Sequence, residues 1–194
     1  MEIKQIRTHS QLGQIVYKIS SRARRIRITV KSEKEVRITI PKGTKFDIGE
    51  KFLHQRFDWV LNAQKNLALK KKEIKQNCSK LPFLEETNAR KELKAKILCY
   101  ATQYNLRFNR LFFRKQKTRW GSCSAKNNIN LNLNLARLPH KLQKYVMIHE
   151  LVHTKVKSHD SKFWSEVERI MPDFKECRQE LKKYHPYYML RGTK

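Results

Sequence analysis

The chain has 194 residues, with 44 Lys and Arg against 17 Asp and Glu and a formal net charge of +27. Glycine and proline number only five each, which excludes a fibrous or largely disordered polymer. A charge this lopsided excludes a neutral, inert surface and points to polyanions among the surroundings.

The opening Met1-Glu2-Ile3-Lys4-Gln5-Ile6-Arg7 lacks the apolar core of a signal peptide. Gln14 to Ser20 reads as a strand. Arg24 to Lys31 alternates, with Ile26, Ile28 and Val30 on one face and Arg25, Arg27 and Lys31 on the other. Val36, Ile38 and Ile40 repeat the pattern with Arg37 and Thr39 outward, and Ser32-Glu33-Lys34 is a turn between them. This predicts an antiparallel hairpin with one wet, basic face. Pro41-Lys42-Gly43 ends the sheet. A single helix is predicted from Asp47 to Lys72, on an apolar stripe of Phe52, Leu53, Phe57, Trp59, Val60, Leu61 and Leu67. Glu73 to Glu86 loses periodicity and reads as a linker.

Thr87 is the expected N-cap of a helix running to Tyr104, with Leu93, Ile97, Leu98 and Ala101 inward. A strand is predicted over Arg110 to Lys117. Arg119-Trp120-Gly121-Ser122-Cys123-Ser124 follows as a turn or loop. Ile129, Leu131, Leu133 and Leu135 alternate with Asn130, Asn132 and Asn134, which predicts a half-buried strand whose Asn row makes a solvent-facing edge. Helices are then predicted from Pro139 to Val156, from Asp160 to Met171, and after Pro172 to the residues before His185-Pro186. The order is strands, helix, linker, helix, strands and three helices, so the fold class is α+β. The organisation predicted is an N-terminal antiparallel β-rich part with a helix over residues 1–80, then a second part over residues 81–194, packed as one compact unit.

No stretch reaches the ~18–20 apolar residues of a membrane span. Cys78, Cys99, Cys123 and Cys177 are widely spaced without a CxxC pair and read as free thiols. Both features point to the cytoplasm. The basic excess is spread along the chain, with 24 basic and 10 acidic residues in the first hundred and 20 and 7 in the rest. It is therefore no detachable tail.

The sharpest motif is His149-Glu150-Leu151-Val152-His153, an HExxH. Two histidines at i and i+4 share one helix face, and their imidazoles can reach one zinc ion. Leu142, Val146, His149, His153 and Val156 fall on one stripe, so the histidines point with the core side chains. Glu150 sits where a carboxylate can take the proton of a zinc-bound water. His159 follows His153 by six residues, the distance at which a third histidine falls in zincins that carry a helix-breaking Gly. Here Val156 holds the Gly position, so the break is expected at Lys157-Ser158, with Ser158 capping the next helix. Glu166, Glu176 and Glu180 are the other candidates for a third ligand. Three ligands with one open position is the catalytic pattern, whereas a structural zinc site is closed by four.

Arg119-Trp120-Gly121-Ser122-Cys123-Ser124, the Asn/Leu strand, the HExxH helix and His159-Asp160-Ser161-Lys162-Phe163-Trp164 together resemble the YgjP-like metallopeptidase family, which is related to SprT-like proteins and minimal zincins. The N-terminal Ala23-Arg24-Arg25 and Val36 to Pro41 are similar to it as well. The resemblance implies a minimal zincin-like domain, one zinc ion held by His149, His153 and His159, and Glu150 as the catalytic base. It also implies an extended peptide beside an edge strand, a role that residues 129–135 fit.

The function expected is therefore zinc-dependent hydrolysis of a peptide or protein. Substrate contacts are expected from Asn130, Asn132, Asn134, Trp120 and Arg119. Oxyanion stabilisation is expected from Arg119, Tyr145, His185 or Tyr187. Cys123 as a nucleophile has no base assigned to it. Phe163 and Trp164 read as core, His54 and His140 as surface. The rival reading is a basic, nucleic-acid-associated protein with a secondary metal site, motivated by Arg25, Arg27, Lys31 and Arg37. The two coexist in a protease acting on DNA-bound proteins. Nothing in the sequence sets an oligomeric state.

Overall fold

The computed structural model describes residues 4–192, so the outermost residues of the two predicted parts lie outside the described residues. The chain forms two compact units, Met1–Lys72 and Glu73–Lys194.

The first unit holds strands β1 (Lys4–His9), β2 (Gly13–Ser20), β3 (Arg27–Ser32) and β4 (Glu35–Pro41), then helices α1 (Phe46–Gln55) and α2 (Phe57–Ser79), which continues past it. Strand order is β1-β2-β4-β3. The β3–β4 pair is the expected antiparallel hairpin, with Ile28 opposite Ile38. The sheet is nevertheless mixed, because β4 inserts beside β2 and pairs with it in parallel. That register aligns Ile15, Tyr17 and Ile19 with Val36, Ile38 and Ile40, so one face becomes continuous and apolar. Leu53 of α1 and Val60 of α2 close over this face. β1, absent from the sequence reading, joins β2 through a tight turn at Gly13, whose φ is +74°. Buried Gln64 donates from Nε2 to the carbonyls of Leu12 (3.0 Å) and Ser32 (3.3 Å), tying two strand ends to α2.

The predicted 47–72 helix is two helices, broken at Arg56, where φ is −114° and ψ is 16°. No Pro or Gly marks the break, since the apolar stripe runs through it. The predicted linker is also corrected: α2 continues to Ser79. Ile74 and Cys78, four apart, pack on the core of the second unit, and Asn77 Nδ2 donates to Lys183 O at 3.3 Å. Two apolar residues one turn apart were too sparse a signal to read as a helix.

The second unit contains α3 (Glu86–Gln103), β5 (Leu111–Arg114), β6 (Gly121–Cys123), β7 (Ile129–Asn132), a 3-10 helix (Leu133–Arg137), α4 (His140–Val152), α5 (Ser161–Ile170), α6 (Phe174–Leu181) and a last 3-10 segment (Pro186–Gly192). The cap of α3 is Glu85 and not Thr87: its carboxylate accepts from the N–H groups of Thr87 and Asn88 at 3.0 Å each. Gly121-Ser122-Cys123, read as a turn or loop, is a strand; the turn follows it, closed by Ser124 N donating to Asn128 O at 2.9 Å.

Sheet order is β5-β7-β6, so β7 is central and not an edge. The Asn row is no solvent-facing edge, although Asn130 stays half-buried. Asn132 and Asn134 are each 1% exposed. Asn132 Nδ2 donates to Gln116 O (2.7 Å) and Arg119 O (2.9 Å), while its Oδ1 accepts from Asn134 N. It pins one loop and caps the 3-10 helix that replaces the predicted strand beyond 132. α4 packs against α3, α5, α6, β6 and β7. Leu142, Met147, Ile148, Leu151 and Val152 are all fully buried, so the helix is enclosed on nearly every side from Tyr145 onward, while His140 and Lys141 at its start stay exposed.

Candidate metal centre

α4 delivers His149 on its last turn and His153 as its C-cap. The helix then stops earlier than Lys157-Ser158, and without a Gly or Pro. Thr154 Oγ1 donates to Leu151 O at 2.7 Å, and the N–H groups of Lys155 and Val156 both return to Val152 O. Val156 O accepts in turn from the His153 ring, whose Nδ1 lies 3.0 Å away. Lys157 Nζ donates to Ser124 O at 2.9 Å and to Asn127 Oδ1, fastening this loop to the β6–β7 turn. Asp160, not Ser158, caps α5: its Oδ1 accepts from Phe163 N at 3.1 Å, and Ser158 only supports Oδ2. Trp164 Nε1 donates to His159 O at 3.2 Å. The turned loop thus carries His159 back over the end of α4.

Three imidazole nitrogens converge. His159 Nε2 lies 3.1 Å from His149 Nε2 and 3.1 Å from His153 Nε2, and all three lie within 4.8 Å of one another. Nitrogens ~2.0–2.1 Å from one tetrahedral ion stand roughly 3.3 Å apart, so the donor set and its spacing fit zinc. With Nδ1–H of His153 directed at Val156 O, its Nε2 carries the lone pair that a ligand needs. Phe163 is fully buried beneath the cluster, with ring centroids 4.9, 4.4 and 4.8 Å from those of His149, His153 and His159. Burial, then the charges of the neighbouring histidines and Arg178, pulls His149 down to about 3. Burial also lowers His153. Both rings are therefore neutral near pH 7, the form that binds metal.

Glu150 follows His149 on the same turn and is 6% exposed. Burial pushes its carboxyl up to about 8, against the pull of the Arg119 charge. β6 runs hard against it: a Cβ on Gly121 would lie 2.7 Å from Glu150 Cγ and 2.8 Å from Oε1. Only glycine permits this approach.

A family model of the YgjP-like metallopeptidase domain matches residues 71–184. The chain belongs to the YgjP-like family. It is accordingly a metallopeptidase, and the match spans the whole histidine cluster. The structure is also similar to the metallopeptidase zymogens abylysin of Pyrococcus abyssi (25% identity, TM-score 0.42, 46% of this chain and 90% of that one) and jannalysin of Methanocaldococcus jannaschii (21%, 0.42, 46% and 92%). A Wss1 mutant of Saccharomyces cerevisiae is similar over 48% of this chain and 81% of that one, at 20% identity and TM-score 0.38. No curated protein sequence matches.

Around this YgjP-like centre the other sequence candidates separate. Tyr145 is buried with its ring 6.0 Å from His149, and burial pushes its hydroxyl up to about 12. Arg119 is exposed and close enough for its charge to act on Glu150. Trp120 packs half-buried against the core, and Asn130 Nδ2 donates across the sheet to Ser122 Oγ at 3.4 Å. Asn132 and Asn134 are buried structural residues and face no cleft. Tyr187 belongs elsewhere, lining a hollow with Cys78, Arg137 and Tyr188; His185 packs on Tyr188 and accepts from Tyr187 N. Neither contacts a cluster histidine among the described residues. Glu166 pairs with Arg169 and Glu176 with Lys141, and neither these nor Glu180 joins the cluster. All four cysteines are free; burial pushes the Cys123 thiol up, contrary to what a nucleophile needs.

Arg178 was missed. Its guanidinium lies 4.7 Å over the Trp164 ring, and its charge reaches both His149 and Tyr145. Phe174, one turn before it, stacks on the same tryptophan at 5.5 Å. The i, i+4 pair was readable, but not which helix it would face.

Proposed function

We propose that the second unit is a zinc peptidase in which His149, His153 and His159 hold the ion and Glu150 moves the proton. The observation that carries this is the convergence of three imidazole nitrogens beside one buried carboxylate. Zinc, when bound, supplies a Lewis acid that polarises a carbonyl and acidifies water. The remaining work falls to this chain. Glu150 takes a proton on a carboxylate oxygen as water attacks and returns it to the leaving amine nitrogen. Its buried setting keeps that carboxyl within reach of both protonation states near neutral pH.

The substrate strand is placed along β6 rather than along residues 129–135. β6 is an edge of its sheet and touches Glu150 through Gly121, so a peptide added to that edge lies beside the carboxylate. Tyr145 keeps its proton and offers a hydroxyl donor toward the developing oxyanion; Arg178 and Arg119 supply positive charge.

The test is hydrolysis of an unfolded protein by wild type and Glu150→Gln, with metal content measured on both. Hydrolysis is expected to fall by about 10²–10⁴-fold while the metal is retained. Full activity in the variant would remove Glu150 from the chemistry. His159→Ala is expected to lose most of the metal; retention would mean that another group completes the ligand set.

A further inference from the structure

The family match leaves residues 1–70 unassigned, and the first unit carries a site of its own. Arg22, Arg24 and Arg25 lie in the connection between β2 and β3, and Arg27 is the first residue of β3. These four arginines and Thr39, the cross-strand partner of Arg27, line one hollow of about 580 Å³. The connection is held by Ser20 O, which accepts from Ala23 N (3.3 Å) and Lys42 N (3.2 Å). Elsewhere in the unit arginines meet acids: Arg7 pairs with Glu50 and Arg37 with Glu35. Among the described residues no carboxylate pairs with Arg22, Arg24, Arg25 or Arg27. Four like charges gathered without a counter-charge repel one another, and an anion relieves that repulsion.

A second hollow of about 410 Å³ lies on the opposite, helix-facing side of β3, the edge strand of the sheet, and shares Arg25 and Arg27 with the first. Its lining is otherwise largely apolar and aromatic, with Ile26, Ile28, Phe52 and Trp59 beside Arg56. Trp59 is 54% exposed. A tryptophan left this open beside a group of arginines is a platform for a flat ring.

We infer that a strand of single-stranded nucleic acid passes over the exposed β3 edge between these two hollows, its phosphates on Arg22, Arg24, Arg25 and Arg27 and a base stacked on Trp59. Guanidinium forks match phosphate oxygens, and an aromatic face takes any base. Polyphosphate satisfies the arginines but leaves Trp59 unused, whereas an anionic lipid surface engages both and is separated by vesicle competition. A duplex keeps its bases stacked inside and cannot present one to the tryptophan. This site does not depend on the reading of the metal centre.

The experiment is fluorescence anisotropy on the full chain, with labelled DNA and RNA strands of about 15 nucleotides, a DNA duplex of equal length, and two salt concentrations of about 50 and 200 mM. Single strands are expected to bind more tightly than duplex. The DNA and RNA arms show which sugar is preferred, and binding of either supports the site. Trp59→Ala is expected to weaken binding by roughly 5–150-fold with the salt slope unchanged, and Trp59→Phe to keep most of the affinity. Arg25→Gln with Arg27→Gln is expected to reduce the salt slope by about 1.4, two phosphate contacts at ~0.7 each. No binding at low salt overturns the proposal. So does duplex binding as tight as single strands, an unchanged affinity in Trp59→Ala, or loss of the bound strand to phosphatidylserine vesicles.

Discussion

Each unit is built on a small mixed sheet whose central strand alternates apolar and polar residues, yet the two alternations mean different things. In β4, Val36, Ile38 and Ile40 are fully buried, and Arg37 and Thr39 stay half-exposed on the outer face. In β7, Ile129 and Leu131 are buried, but Asn132 is buried too. The difference lies in what the polar side chain can do once dry. Asn132 finds two carbonyls and one N–H, so its amide is satisfied inside the protein. A guanidinium with five donors and a full charge finds no such set under a small sheet and stays wet. Period-2 alternation therefore marks one-sided burial only where the polar residues find no complete set of partners inside the protein.

The largest way to sharpen this comparison is pH, in metal-free protein. Among the described residues the first unit holds one group displaced in pKa, Tyr17, raised mainly by burial. The second holds many, and those whose ordinary titration falls between pH 4 and 8 are His149, His153, His185 and Glu150. His149 sits at about 3, below its ordinary 6.5, so its contribution to stability is complete above 6.5 and is lost as pH falls toward 3. His153 acts in the same direction. Glu150 sits at about 8, above its ordinary 4.5, so its contribution is complete below 4.5 and is lost as pH rises through 8. Metal-free second unit is therefore expected to melt highest between the two limbs and lower on either side, while the first unit stays flat from pH 4 to 8. Trp59 reports the first unit, and Trp120 and Trp164 the second, in single-tryptophan variants. Glu150→Gln should remove the alkaline limb alone. A flat profile for the second unit would mean that these groups are not buried as described.

Next in size is the pair Asn132→Ala and Arg37→Ala. The first leaves the carbonyls of Gln116 and Arg119 and the N–H of Asn134 without their partner, at about 1–3 kcal/mol for each group left dry. A loss of about 3 kcal/mol or more is expected in denaturant titrations. Arg37 loses one half-exposed ion pair with Glu35, worth less than about 1 kcal/mol. Equal losses would erase the distinction between the two polar rows.

Smaller in stability but larger in function is Gly121→Ala. The added methyl meets Glu150 Cγ and Oε1, so either β6 or the carboxylate must move. Crowding of this kind costs about 1–3 kcal/mol. Displacing a proton-transfer group by an ångström costs about 10²-fold in rate. Hydrolysis is expected to fall much more than stability, with metal content unchanged. Equal rates for variant and wild type would separate β6 from the reaction.

The same contrast explains what the sequence made legible. The cluster His149, Glu150, His153 and His159 was readable because helix periodicity fixes i and i+4, and six residues suffice for a turn back. The end of α4 was not, since it depends on Thr154 and Val156, whose types do not announce a stop. Gly121 and Arg178 owe their places to packing between elements distant in sequence. The α+β order was legible from changes of period. The parallel β2–β4 pairing was not, because alternation fixes which face is buried but not which neighbour a strand takes.

The smallest expected effect concerns Glu85 and Thr87 at the start of α3. A sequence reading favours Thr87, since threonine is a preferred N-cap and glutamate is not. The structure gives the cap to Glu85, whose two carboxylate oxygens accept from the N–H groups of Thr87 and Asn88. The carboxylate also stands at the positive end of an 18-residue helix, which a threonine hydroxyl cannot exploit as well. Glu85→Ala is therefore expected to cost about 1 kcal/mol, and Thr87→Ala no more than a few tenths. Because the carboxylate is exposed, its share of the dipole term should shrink in high salt while the hydrogen bonds persist. Urea titrations of both variants at low and high salt decide it: the reverse order of losses would return the cap to Thr87, and a salt-independent loss for Glu85→Ala would leave hydrogen bonding alone as its cause.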